Sequence, residues 1–393
     1  MVSGSGARGV SVTVYRRRRW AVTLSVLSTL VVASVAATAL FGSRSASRSS
    51  SRSSGRTIAA PRAQLPRTGA RDTGVGSLLR PGSDPSVLPG PLLIADRGNN
   101  RLLEIDPMGR TLWTFPRPGD LAPGQTFNIP DDAFFTPDGQ HIIVTQEDDF
   151  VVSLIDMRAH RIVWRYGMPG VHGSGPDRLW NPDDAIVLPN GEVLTADIKN
   201  CRLVIIPAGA HAPRQVYGRV GRCRHAPPAR FGSPNGAFPM RNGHLLVTEI
   251  NGDWVDEIDL AGHVYFSTHP PLIRYPSDTN EVGPDEYLTV DYSKAGAIET
   301  FDHQGRLLWR YAPPGADHLD KPSLAKPLPN GDIIANDDNN HRVIVVDPST
   351  NRIVWQYGHT GAPGTGPGWL NTPDGMDFAP PHSLAATIPG PTP

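Results

Sequence analysis

Short apolar runs, each bounded by proline, glycine or asparagine, recur along this chain from about residue 92 onward. The stretch 182–219 shows one complete unit. A first run at 182–188 is closed by the turn Pro189-Asn190-Gly191, and 192–197 is almost continuously apolar, as in a strand covered on both faces. A loop at 198–201 leads to a third run at 202–206, and a mixed fourth run occupies 214–219. Four short strands with tight connections specify one antiparallel sheet. The turns Pro137-Asp138-Gly139 and Pro329-Asn330-Gly331 repeat the same chemistry. Proline sets φ at the first corner, and Asn or Asp before Gly accepts the left-handed conformation.

The unit is written six times. Each copy ends in an Arg-x-x-aromatic strand or its close variant: Arg110 to Trp113, Arg161 to Trp164, Arg214 to Tyr217, His263 to Phe266, Arg306 to Trp309 and Arg352 to Trp355. The aromatic returns at intervals of 43 to 53 residues, and Pro130, Pro182, Pro234, Pro276, Pro322 and Pro373 keep the same beat, each opening a first strand. The second strands fall at 92–96, 141–146, 192–197, 244–249, 287–291 and 332–337. Such a period with four strands per repeat predicts an all-β, six-bladed β-propeller of four-stranded antiparallel blades over 91–381. To close the ring, 374–379 pairs with the strand at Leu92, because Asp374-Gly375-Met376 matches the other strand openings; a competing register gives that place to 83–88.

Composition agrees and adds little. The chain has 40 Gly and 40 Pro in 393 residues, which suits many turns and argues against long helices. A net charge of −1 gives no electrostatic case for nucleic acid as a partner. The N-terminus is a different matter. Arg16, Arg17, Arg18 and Arg19 abut the uncharged apolar stretch 20–41, which is long enough to span a bilayer. This predicts a cytoplasmic basic tail (1–19), a transmembrane signal-anchor (20–42), a disordered Ser/Arg/Pro/Gly-rich linker (43–90) and a flexible tail (382–393). The expected location is the cell membrane, single-pass, with the propeller extracytoplasmic; cleavage at Ala37-Thr38-Ala39 is the alternative and makes the protein secreted.

The segments Asp96-x-x-Asn99-Asn100-Arg101, Asp197-x-x-Asn200-Cys201-Arg202 and Asp337-x-x-Asn340-His341-Arg342-Val343 resemble NHL repeats in the same strand–loop–strand position. The likeness spans about 92–380 and departs in the other blades, which read Gln146-Glu147-Asp148-Asp149, Glu249-Ile250-Asn251-Gly252 and Asp291-Tyr292-Ser293-Lys294. The run from Asp347 to Trp355 is similar to the tryptophan motif of pyrroloquinoline-quinone-type propellers, without an assigned quinone contact. These motifs imply structure: Asp and Asn bonding loop backbone, Arg reaching a neighbouring blade, and the outer aromatic filling the wedge between blades.

Candidate chemistry gathers on one face, where the second-to-third-strand loops meet the connections between blades. After each strand-opening proline come Asp131-Asp132, Asp183-Asp184, Asn235, Ser277-Asp278, Ser323 and Asp374. We take Asp131, Asp183, Asn235, Asp278 and Asp374 as ligand or metal candidates, since carboxylate and amide oxygens suit Ca²⁺ or another divalent metal. His172, His225, His269, His318 and His359 lie in the long connections of the same face and are the catalytic candidates. Cys201 and Cys223 are the only cysteines and form a candidate disulfide there; two unpaired thiols are the alternative. Gly4-x-Gly6-x-x-Gly9 lies in a charged tail with no preceding strand, and there is no Walker A, His-Glu-x-x-His or Gly-x-Ser-x-Gly sequence.

Two functions remain open. One is a membrane-tethered binding scaffold presenting the loop face to a protein, glycan or small molecule. The other is a metal-assisted hydrolase, lyase or transferase. The chain resembles NHL-type amidating lyases, gluconolactonase-like hydrolases and bacterial arylsulfotransferases in architecture, but has no histidine at its strand openings.

Overall fold

The apolar second strands lie at the heart of each blade. They run Leu92–Asp96, His141–Gln146, Val193–Asp197, Leu245–Glu249, Glu286–Asp291 and Ile333–Asp337, within a residue of the positions that hydropathy indicates. Nearly every one of their side chains is buried, because neighbouring blades cover both faces of each sheet. The computed structural model describes residues 78–381. Within them, six antiparallel sheets form a six-bladed propeller.

Five blades are continuous in sequence, each running from an inner strand at the channel to an outer strand at the rim. The inner strands of blades two to six are Ala133–Phe135, Pro182–Val187, Pro234–Pro239, Pro276–Gly283 and Ala325–Pro327. Blade one is made from both ends of the propeller. Its inner strand is Pro373–Phe378, paired antiparallel with Leu92–Asp96 so that Phe378 faces Leu92 and Met376 faces Ile94. Closure therefore uses the expected strand.

Two local features differ from the sequence reading. In blades two and six the regular inner strand starts three residues after the proline, at Ala133 and Ala325. Backbone bonds already run across this gap, from Asp131 N to Thr145 O (2.9 Å) and from Thr145 N to Asp132 O (2.9 Å), so the strand opens on an irregularity. The second difference concerns the linker. Its last part, residues 78–90, belongs with the propeller: Leu79, Val87 and Leu88 are buried, and the chain bonds along the outer strand Arg352–Gly358 through Arg80 N to Gln356 O (3.0 Å) and Asp84 N to Val354 O (2.9 Å). A stretch rich in Pro and Gly reads as a tether, but three well-placed apolar side chains suffice to dock it. The competing closure by 83–88 is not used.

Each outer aromatic fills the seam to the next blade. Trp113 Nε1 donates to Met157 O (3.2 Å), Trp164 Nε1 to Ala210 O (3.2 Å), Trp309 Nε1 to Asn351 Oδ1 (2.9 Å) and Trp355 Nε1 to Pro107 O (3.0 Å), and the Tyr217 hydroxyl donates to Leu260 O. Phe266 has no donor and packs on Tyr287 of the next blade instead. The expected anchor (20–42), most of the linker and the tail (382–393) lie outside the described residues. Among the described residues no helix is long and apolar enough to cross a membrane.

Candidate functional site

The three Asp-x-x-Asn-x-Arg segments do the same work in blades one, three and six. Asp96 Oδ2 accepts from Asn99 Nδ2 (2.8 Å) and Arg101 Nε (2.7 Å), while its Oδ1 accepts the Asn371 backbone N–H (2.7 Å). Asp197 is held by Asn200 (2.8 Å), Arg202 (2.7 Å) and the Trp180 N–H (2.8 Å). Asp337 is held by Asn340 (2.9 Å), Arg342 (2.8 Å) and the Asp320 N–H (2.7 Å). The arginines continue to carbonyls of the preceding connection, for example Arg101 to Thr365 O (2.8 Å) and Arg202 to Ser174 O (2.9 Å). These clips pin the inter-blade loops around the channel mouth and leave the inner-strand openings to line it.

By position after each proline those openings supply two layers. The outer layer is Asp131, Asp183, Asn235, Ser277, Ser323 and Asp374; the inner is Asp132, Asp184, Gly236, Asp278, Leu324 and Gly375, and Asp132 joins the two, with an oxygen within 4.8 Å of Asp131 and Asp183 as well as of Asp184 and Asp278. Asp278 thus stands one layer deeper than the other sequence candidates. In the outer layer Asn235 Nδ2 donates to Ser277 Oγ (3.0 Å), and Ser323 Oγ donates to Asp338 Oδ1 (2.9 Å). Sequence reading overlooked the side chain that organises this layer. Arg97, first residue of the loop after Leu92–Asp96, pairs with Asp131, with Asp374 Oδ2 (3.0 Å) and with Glu147 Oε2 (2.9 Å). Burial alone would lower its pKa, but Asp374 and Glu147 hold the guanidinium firmly charged. The signal was available: the equivalent loop position in the other blades carries Glu147, Ile198, Ile250, Tyr292 or Asp338, so one such residue per blade points to the mouth.

The inner layer has no such cation in contact; Lys326 is paired with Asp377 (2.8 Å) and acts on Asp184 only from a distance. Asp132, Asp184 and Asp278 are buried, and their carboxylate oxygens lie within 4.8 Å of one another. No hydrogen-bond donor reaches Asp184 Oδ1 or Oδ2, Asp132 Oδ1 or Asp278 Oδ1. The two glycines of this layer make the approach possible: a Cβ at Gly236 would meet Asp278 Oδ1 at 2.6 Å, and one at Gly375 would meet Asp132 Oδ1 at 2.6 Å. Burial pushes the pKa of Asp132, Asp184 and Asp278 well above the ordinary carboxylate range; neighbouring carboxylates push Asp132 and Asp278 the same way, as Asp132 and Asp183 do for Asp184 against a smaller downward pull from Asp278 and Lys326. Asp183 moves in the same direction, from burial and then from Glu147 and Asp374. Buried carboxylates this close must be protonated or neutralised by a cation, and an oxygen-only set of this kind suits a hard divalent ion.

The histidine candidates do not converge. His172 stacks on Trp180 (4.4 Å between centroids) and His359 on Trp369 (3.8 Å), while the Nδ1 of His318 lies 2.8 Å from Gly315 O in its own turn. Only His225 and His269 share a neighbour, lying 3.9 Å and 3.7 Å from Trp254. His225 also approaches two fully buried acids of blade four, Glu249 and Asp256. Burial, and then Asp256, raises Glu249 to about 9, while burial lowers His225. Just before His225, Cys223 is joined to Cys201 in a disulfide with Cα atoms 5.0 Å apart.

No family model matches this chain, and no curated protein matches it. Among solved structures, a protein of unknown function from Bacteroides caccae shares 17% identity over 68% of this chain and 93% of its own, with a TM-score of 0.48. A streptogramin B lyase shares 14% identity over 62% of this chain and 72% of its own, with a TM-score of 0.45. The WD40 propeller domain of Doa1 shares 12% identity over 68% of this chain and 78% of its own, with a TM-score of 0.44. Likenesses at this level assign no function.

Proposed function

We propose that this chain is a membrane-tethered, extracytoplasmic, NHL-like binding propeller whose channel mouth is loaded with a hard divalent cation, Ca²⁺ by ligand type. The observation that carries the reading is the inner carboxylate trio Asp132, Asp184 and Asp278, with oxygens that no donor reaches. Asp183 and the donor-free Asn235 Oδ1 stand just outside it. Around this axis the loop face presents flat stacked pairs, His172 on Trp180 and His359 on Trp369, and the larger stack around Trp254. Such platforms suit sugar rings or aromatic side chains of a partner. The extracytoplasmic placement rests on the arginines at 16–19 and the apolar stretch 20–41, and the NHL kinship on the Asp–Asn–Arg clips. The histidines are engaged by aromatic neighbours and local carbonyls, which favours binding over the alternative of a metal-assisted hydrolase, lyase or transferase.

The test is elemental analysis and thermal melting of the purified full chain before and after chelation, beside Asp184→Asn. About one equivalent of Ca²⁺, a lower Tm on chelation and loss of both in the variant support the proposal. A metal-free protein that Asp184→Asn stabilises, by relieving repulsion, overturns it.

A further inference from the structure

We propose a second, independent metal site in blade four, in which His225, Glu249 and Asp256 bind a transition-metal dication of the Zn²⁺ class. Its basis is a comparison between blades. The register pairs Asp96 with Arg101, Asp197 with Arg202 and Asp337 with Arg342, and each guanidinium neutralises the carboxylate it faces at 2.7, 2.7 and 2.8 Å. In blade four the same register pairs Glu249 with Trp254. The guanidinium is gone. Two residues further along that strand, the clip blades carry Leu103, Val204 and Ile344, whereas blade four carries Asp256. This blade has therefore lost a cation and gained a second acid at one buried place.

What replaces the cation is set by the donors that remain. Glu249 Oε2 accepts the Gly232 backbone N–H, and Asp256 Oδ1 accepts the Ser267 hydroxyl at 2.5 Å. One oxygen of each carboxylate is thus tied down by a neutral donor. The other two, Glu249 Oε1 and Asp256 Oδ2, turn to His225 Nδ1 at 3.0 and 3.9 Å. Asp256 is fully buried and its Oδ2 has no hydrogen-bond partner. The ligating atoms of the three residues all lie within 4.8 Å of one another. One imidazole nitrogen and two carboxylate oxygens around one point are a borderline-soft set, unlike the all-oxygen set at the channel, and they leave a coordination position free.

The surroundings hold this geometry. The imidazole of His225 lies flat on the Trp254 indole, with 8° between the planes, so the residue that displaced the arginine orients the new ligand. The Cys201–Cys223 bridge fixes the chain two residues before His225. His225 is partly exposed, which opens the site to solvent, while the acids behind it are closed off.

The experiment uses full-length protein stripped with chelator, with the disulfide intact, in an Asp184→Asn background that disables the channel trio. Zn²⁺ is titrated by calorimetry and Co²⁺ by visible absorption. We expect one equivalent of Zn²⁺, visible Co²⁺ bands, and affinity lower by at least about tenfold in both Asp256→Asn and His225→Gln. If Asp256→Asn fails to fold, His225→Gln still decides, since that side chain lies at the solvent edge. Absence of Zn²⁺ binding, or binding that neither substitution weakens, overturns the site and leaves Glu249 and Asp256 as an acid pair sharing a proton. Because the channel trio is disabled throughout, failure here leaves the Ca²⁺ proposal standing.

Discussion

The Trp355 indole donates to the Pro107 carbonyl at 3.0 Å, across the seam where the last blade meets the first. Trp355 is completely buried, whereas Trp309, its counterpart one blade earlier, is only partly so. Replacing Trp355 with Ala should cost about 3–5 kcal/mol of unfolding free energy, and Trp309→Ala distinctly less. Urea titration of both variants checks this; equal losses would mean that the closing seam is no different from the others.

Arg342 is fully buried and satisfies Asp337, the carbonyls of Asp317 and His318, and Thr360 Oγ1. Arg342→Ala strands the buried Asp337 carboxylate and should cost about 3–5 kcal/mol. Lysine should rescue little, because its ammonium cannot present the same fork of donors. A loss below about 1 kcal/mol by chemical denaturation would show that the clip is decorative.

Metal-free protein should lose stability as pH rises through blade four's acid pair. Glu249 is raised to about 9, so between the ordinary carboxyl range and that value the folded state keeps a proton that the unfolded chain has released. The contribution of Glu249 to stability is therefore fully present below the ordinary carboxyl pKa and is lost as pH rises to about 9. Melting temperatures in chelator across that window should fall, and Glu249→Gln should flatten the slope.

The Cys201–Cys223 bridge closes a loop with a sequence separation of 22. Cys223→Ser should lower stability by about 3 kcal/mol in the chain-entropy account. Reductant should lower the Tm of the parent chain and leave the variant unchanged, which differential scanning calorimetry reads directly.

Removing residues from Pro373 onward deletes the inner strand of blade one and exposes the edge of Leu92–Asp96. Loss of a single cooperative transition by circular dichroism is expected. A chain ending after Pro381 should melt as the intact one does.

How legible this was varied with the kind of signal. The second strands could be read because residues such as Val193, Leu194 and Ala196 are apolar on both faces, and the repeat fixed their number. The docking of Leu79, Val87 and Leu88 could not, since three apolar residues among Pro and Gly carry no period. The outer ring at Asp131, Asp183 and Asp374 follows from the prolines, but Asp184 lies one residue deeper, and its partner across the axis is set by an irregular inner strand. Arg97 carries no repeat signal in residue type, because the equivalent position in the other blades is Glu147, Ile198, Ile250, Tyr292 or Asp338. The segment Glu249-Ile250-Asn251-Gly252 departs from the repeat in sequence; aligning the third strands shows Asp256 where the clip blades carry Leu103, Val204 and Ile344. A departure from the repeat was the informative position.

The shared blade also has a consequence for how the protein is made. Leu92–Asp96 leaves the ribosome well before its partner, Pro373–Phe378, with the other five blades made in between. Until then one flank of a largely apolar strand offers unpaired N–H and C=O groups to any other chain nearby. Translation that stalls in the final blade therefore leaves a sticky, open crescent, and that edge must be sheltered while the other blades are made.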